Sequence, residues 1–263
     1  MDFSIFFPYE LLPWQWAAWI GLGICIGLTK TGFSGMTAVI VPIMALIFDP
    51  KESTGINLPL LCFGDLIAVF YFNRHAEWKY VLHLLPWSLA GFAAALFVDS
   101  LVPVNAFKYL IGGSVFAGLA VMIWDELRGK GKPPPQSWWF SALFGIAGGF
   151  STMIGNVAGP ILAVFLLSMR LPKNSFVGTT AWYYLIINYI KLPLQVLFWH
   201  NISVKTLLFD VTLIPVIFAG AAAGIFLIRI IPEPVFRKVI IILTFISAAL
   251  LFVDFSQFRV VHP

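Results

Sequence analysis

"LLPWSLAGFAAALF" (84–97) and "LIPVIFAGAAAGIF" (213–226) share their Pro, Ala-Gly, Ala-Ala and closing Phe, although they lie in opposite halves of the chain. Two further pairs extend the match. "DPKESTGIN" (49–57) matches "LPKNSFVGTT" (171–180) with one residue inserted, and "VPVNAFK" (102–108) matches "IPEPVFR" (231–237). In that register Gly55 corresponds to Gly178, Asn57 to Thr180 and Asp65 to Asn188. Agreement at Pro, Gly and Phe across all three blocks marks an ancient duplication, the sequence signature of many transporter folds.

The composition says where such a chain resides. Of 263 residues, 60% are hydrophobic and only 11% charged, and the mean hydropathy is +0.93, so there is too little polar surface to cover a water-soluble globule. The chain is expected to be an integral membrane protein. Apolar runs of helical length recur, and the alternating ten-residue pattern of an outer-membrane barrel is absent, so the expected class is all-α. Helices also satisfy their own backbone polar groups in lipid. The opening "MDFSIFFPYELLPWQW" carries acids and no Lys or Arg before its apolar part, which argues against a cleaved signal peptide.

Ten apolar segments can be read, at 14–31, 33–48, 54–72, 82–98, 107–124, 138–153, 156–169, 176–198, 208–230 and 236–253. The linker "DELRGKGKPPPQS" (125–137) divides them into a first repeat, 1–124, and a second, 138–263. Five is odd, so if every segment crosses, or if the first two of each half form a re-entrant hairpin, the second repeat must be inverted relative to the first. Alternating the loops between two faces puts most Lys and Arg on one side. Only Lys51, Lys108, Lys205 and Arg259 fall on the other, and Lys191 lies inside a segment. A parallel arrangement, with the first two segments of each half merged into one crossing, divides the loop charges evenly. Because cytoplasmic loops are enriched in Lys and Arg, the inverted arrangement is favoured, with the linker cytoplasmic and both termini outside. The expected fold is a polytopic bundle of eight to ten transmembrane helices, some broken or re-entrant.

Inverted repeats bring two equivalent helix breaks to the midplane, where half-helix N-termini and bare backbone N–H groups bind anions. "GLTKTGFSGM" (27–36) and "GGFSTMIGNVAGP" (148–160) occupy corresponding places. Gly lets backbone approach a ligand closely, while hydroxyls and amides replace lost water. Pairs such as Gly145 with Gly149 and Gly220 with Gly224 are read as helix packing only. Pro42 and Pro160, just beyond each break, end or kink helices.

Lys30 has two readings: it snorkels to the cytoplasmic headgroups, or it neutralises a bound anion beside Thr29, Thr31 and Ser34. Lys191 lies deep in its segment, one helical turn from Asn188, where a cation costs several kcal/mol unless paired or hydrated. Asp65, at similar depth, either forms a structural ion pair with that lysine or takes up the proton that couples transport. "STGIN" and "SFVGTT" open their segments as caps, or set Asn57, Thr179 and Thr180 along the same cavity. Gly32, Gly35, Thr152, Asn156 and Gly159 complete the candidate substrate site. Cys25 and Cys62 are read as packing residues, and His75, His83, His200 and His262 show no metal spacing. The basic pI, 9.1, comes from short loops and not from a nucleic-acid-binding patch.

"GLTKTGFSGMTAVIVPIMAL" (27–46), "LPLLCFGDLIAVFYFNRHAEWKYVLHLLPWSLAG" (58–91) and "GFSTMIGNVAGPILAVFLLSMRLPKNSFVGTTAWYYLIINYIKLP" (149–193) resemble the TauE/SafE sulfite exporters and related anion permeases. The resemblance spans both repeats. It departs at "TKTGFSG", where many members have consecutive glycines. What it implies is a secondary transporter of small sulfur-containing or organic anions, such as sulfite or a sulfonate, in a bacterial cytoplasmic membrane. A coupled proton or sodium ion, a membrane lipid environment and no cofactor would go with that reading. An anion channel or a non-transporting assembly subunit is the alternative. An enzyme is not expected, because the interior offers only isolated Asp65 and Lys191.

Overall fold

The computed structural model describes residues 8–34, 40, 43–44, 47–48, 50–98 and 137–250. Gly35, Pro42, most of segment 33–48, segment 107–124, the linker up to residue 136, the block 102–108 and both termini lie outside the described residues. Every regular element among those described is helical: α1 (Pro13–Lys30), α2 (Pro50–Phe72), α3 (Trp78–Val98), α4 (Trp138–Gly155), α5 (Gly159–Ser168), α6 (Lys173–Leu194), α7 (Val204–Val211), α8 (Ile214–Ile230) and α9 (Glu233–Leu250). A 3-10 turn, Asn73–His75, follows α2, and a π-helical turn, Gln195–Trp199, follows α6.

The boundaries follow local chemistry. Pro13 opens α1 and Pro160 stands second in α5, where a missing N–H costs nothing. Asn156 ends α4 in the left-handed region, φ 57°, a conformation Asn tolerates better than most residues. Ser203 caps α7, accepting from Thr206 N at 3.2 Å.

Three boundaries differ from the sequence reading. α2 starts at Pro50 and α6 at Lys173, so the Ser and Thr of "STGIN" and "SFVGTT" lie within helices and do not cap them. The predicted segment 208–230 is two helices, α7 and α8, bent by 52° at a short break before Pro215. The predicted 176–198 ends in the π turn, just after Pro193 removes a backbone donor.

Glu52–His75 and Trp78–Phe97 are, among the described residues, long and apolar enough to cross a membrane, as is the α7–α8 pair if counted as one bent span. α5, with 10 residues, is about 15 Å long, half a hydrocarbon core. From Gly159 to Leu167 it is buried on every side, as expected of a helix apolar all round. Phe165 of α5 meets Phe140 and Phe144 of α4, while Phe176 and Phe236 pack edge to face nearby. A second apolar cluster joins Trp19, Phe48, Phe209, Leu213 and Ile217.

Three helix pairs dominate the packing, and each joins one half of the chain to the other: α3 with α4, α1 with α8, and α2 with α6. Glycines let these backbones touch. A Cβ on Gly27 would collide with Ile217 O, and one on Gly149 with Ser88 O. A Cβ on Gly220 would strike Ile24 O, and one on Gly91 would strike Ile146 O. In the register of the sequence match Ser88 corresponds to Ile217 and Gly91 to Gly220, so the same contact is made twice with the halves exchanged.

Candidate functional site

α2 and α6 run antiparallel. Gly55 abuts Asn201 at one end of their seam, and Gly178 abuts Phe72 and His75 at the other. Between these ends, Asn188 Nδ2 donates to Asp65 Oδ2 at 2.7 Å. These are the two residues the internal match pairs, so the duplicated positions meet each other.

α1 ends beside them. Lys30 Nζ stands 2.7 Å from Asp65 Oδ1, with the lysine 6% and the acid 0% exposed. The ammonium lies 4.7 Å from the Tyr184 ring centroid, within reach of a cation–π contact. Gly64 makes room for the lysine stem, since a Cβ there would come within 2.9 Å of Lys30 Cγ. Lys30 is therefore held inside the protein instead of reaching out to headgroups. The ion pair the sequence suggested between Asp65 and Lys191 is replaced by one between Asp65 and Lys30, because α1 terminates level with Asp65.

Lys191 is fully buried and faces the other way. Its ammonium donates to Thr152 O at 2.8 Å, to Thr152 Oγ1 at 3.1 Å and to Asn156 Oδ1. All three acceptors are neutral, and no carboxylate among the described residues is paired with it. The break after α4 creates this cradle. The left-handed turn at Asn156 aims its side chain back at α6, and its Nδ2 donates to Thr54 O at 3.2 Å.

A small cavity lies beside Lys30, lined by Thr29, Lys30, Leu61, Thr152, Asn156, Tyr184 and Asn188. Thr29 Oγ1 is already committed to Cys25 O at 2.7 Å, but Asn188 Oδ1 and the Tyr184 hydroxyl are buried without a hydrogen-bond partner. Of the residues singled out from sequence, Thr29, Lys30, Thr152, Asn156 and Asn188 line this cavity. Asp65 and Lys191 stand directly behind them.

The others are placed elsewhere. Thr31 Oγ1 donates to Gly27 O at 2.8 Å and packs on Gly224. Gly32, at φ 140°, turns the chain after α1 in a conformation reserved for glycine, against Ile228 and Val177. Ser34 is buried just beyond, and Gly159 opens α5. Thr179 Oγ1 accepts from Glu77 N at 2.9 Å, and Thr180 Oγ1 donates to Phe176 O at 2.8 Å, both towards the Phe72 end of the seam. Asn57 is buried on α2 with its Oδ1 unpartnered. Leu61, Gly64 and Tyr184 were not foreseen. Leu61 and Tyr184 each lie one helical turn before a residue that was, Asp65 and Asn188, and that spacing was the available signal.

Large apolar side chains such as Phe70, Phe97, Trp138 and Phe226 point outwards, while the charges at the centre are enclosed. That inversion of the water-soluble pattern defines a helical membrane protein. The profile of the sulfite exporter family TauE/SafE matches residues 19–251, and the chain belongs to that family, one of membrane anion transporters. Among curated proteins and solved structures, none matches the chain.

Proposed function

We propose that the protein is a secondary transporter that moves a small sulfur oxyanion, sulfite or a sulfonate, across the bacterial cytoplasmic membrane. The observation that carries this reading is Lys191: a completely buried ammonium held by three neutral oxygens. Hydrogen bonds hold it, but they do not balance its charge, and a buried ammonium left unbalanced either gives up its proton or draws a counter-ion to it.

The charge count defines the ligand. Lys30, Lys191 and ionised Asp65 together leave one positive charge beside the cavity. A singly charged anion neutralises it directly. A doubly charged anion does so when Asp65 takes up a proton, which makes Asp65 the candidate coupling group. The anion would compete with Asp65 for Lys30, while the Tyr184 and Thr152 hydroxyls and the Asn188 amide N–H offer hydrogen bonds to its oxygens. Asn156 would act through Lys191.

Alternating access follows from the way the halves pack. Exchanging them maps the α1–α8 pair onto α4–α3 and leaves the antiparallel α2–α6 pair on itself, which supports two inverted repeats related by an axis in the membrane plane. Rocking one repeat against the other about the Asp65–Asn188 contact would then expose the cavity to each face in turn. The excess of Lys and Arg in alternate loops supports a cytoplasmic linker and termini outside.

The test is sulfite-driven flux in proteoliposomes, together with thermal stabilisation of the purified protein by sulfite, thiosulfate, sulfate, sulfonates and small carboxylates. Saturable flux and a sulfite-induced stabilisation that Lys191→Met removes are expected. A stabilisation that survives Lys191→Met would overturn the site.

A further inference from the structure

The cavity is not equally walled along the α2–α6 seam. Towards Phe72 the next turns of the two helices bring apolar Ala68, Phe72, Ala181 and Val177, and the hydroxyls there are already engaged, Thr179 Oγ1 accepting from Glu77 N and Thr180 Oγ1 donating to Phe176 O. Towards Asn201 they bring amides and hydroxyls. On α6, Asn188 meets Asp65 of α2, and Gln195, seven residues further on, falls on the same broad face of the helix. On α2 the corresponding broad face carries Asp65, Leu61, Asn57 and Thr54.

Gln195 is 0% exposed, and neither its Nε2 nor its Oε1 has a hydrogen-bond partner. Asn57, about two turns from Asp65 as Gln195 is from Asn188, is 2% exposed with Oδ1 also unpartnered. Leaving such groups unsatisfied costs about 1–3 kcal/mol each, so their presence here needs a reason. Beside them a hydrogen-bonded line already runs from the cavity to the loop. Lys191 donates to Asn156, Asn156 to Thr54 O at 3.2 Å, and Asn201 Nδ2 to Thr54 Oγ1 at 2.9 Å. Asn201 is partly exposed. Gln195 also begins the π-helical turn, a distortion that recurs at functional sites.

We infer that the α2–α6 seam is the route by which the anion passes between the lysine-lined cavity and the face bearing Asn201, with the Asn57 and Gln195 side chains forming an uncharged relay station for its oxygens. This rests on the anion-transport reading above and adds a second binding station, both residues of which, Asn57 and Gln195, lie outside the sulfite cavity. Amides suit a relay because they bind an oxyanion through N–H groups without the charge that would hold it there.

The test replaces Cys25 and Cys62 by Ala and introduces Gln195→Cys. Sulfite flux is then measured in proteoliposomes before alkylation, after iodoacetamide and after iodoacetate, with labelling read by intact mass. Iodoacetamide restores a side-chain amide at position 195, whereas iodoacetate puts a carboxylate in the same space. The thiol should alkylate in the folded protein. Flux should fall about tenfold in the unmodified cysteine variant, recover with the amide and be lost with the carboxylate. An inert thiol, or equal flux in all three states while sulfite still stabilises the protein thermally, would overturn the route alone. No sulfite stabilisation even with Gln195, Cys25 and Cys62 intact would overturn the cavity, and the route with it.

Discussion

Lys30 and Lys191 are both buried beside one cavity, yet only one is neutralised. Lys30 has a carboxylate at 2.7 Å and an aromatic ring beneath it, whereas Lys191 has three neutral oxygens. The two stand in related surroundings, since the end of α1 and the end of α4 each approach the α2–α6 seam. The duplication has diverged in charge placement. In the first half the lysine ends α1 and the acid is on α2. In the second the lysine is on α6 and the end of α4 supplies only oxygens. What the difference teaches is that halves sharing one packing arrangement can place charge differently: one lysine is paired with a carboxylate, while the other is held by neutral oxygens alone.

The comparison breaks most sharply through Lys30→Met. It leaves Asp65 buried with only Asn188 for support, so unfolding stability should fall by about 3–5 kcal/mol, measured in detergent. Most of that should return in a Lys30→Met, Asp65→Leu double variant. Lys191→Met should behave oppositely, with resting stability unchanged or raised. What it should lose is the sulfite-induced stabilisation, about 2.7 kcal/mol at a sulfite concentration a hundred times the dissociation constant. If the two methionine variants lose equal resting stability, the asymmetry is wrong.

The packing symmetry offers a gentler test. Gly27→Ala and Gly149→Ala push a methyl into backbone at equivalent contacts and should each cost about 1–3 kcal/mol. Gly21→Ala, with nothing within 4 Å of the new atom, should instead stabilise α1 by about 0.5–1 kcal/mol. Unequal costs at Gly27 and Gly149 would show that the halves no longer share a packing mode. Smallest of all, Thr179→Val removes one hydrogen bond to Glu77 N, at about 1 kcal/mol, and should leave sulfite binding untouched if Thr179 lies off the cavity. Reduced sulfite affinity would return Thr179 to the site.

Much of the site was legible because lipid makes polar residues conspicuous. Asp65, Asn188 and Lys191 stand out in apolar runs, and the break after Gly155 is announced by Asn156 and Gly159. The misreadings share one cause: spacing along a chain does not say which helix ends beside which. Nothing in "GLTKTGFSGM" indicates that α1 stops level with Asp65. Thr31 and Thr180 stood out because a hydroxyl in an apolar run is rare. Each hydrogen-bonds its own helix, a bond that residue type alone does not reveal.

By itself the sequence determined that this is an all-helical membrane protein of duplicated halves with charge at its centre, since composition, hydropathy and self-similarity are properties of residues in order. Only the tertiary structure decided the partners: Lys30 with Asp65, Lys191 with Thr152 and Asn156, and Gln195 left without one. The physical reason is distance. A buried charge takes its meaning from what stands within a few ångströms of it, and in this protein the second helix and the end of the first, the sixth and the end of the fourth, meet only once the chain has folded.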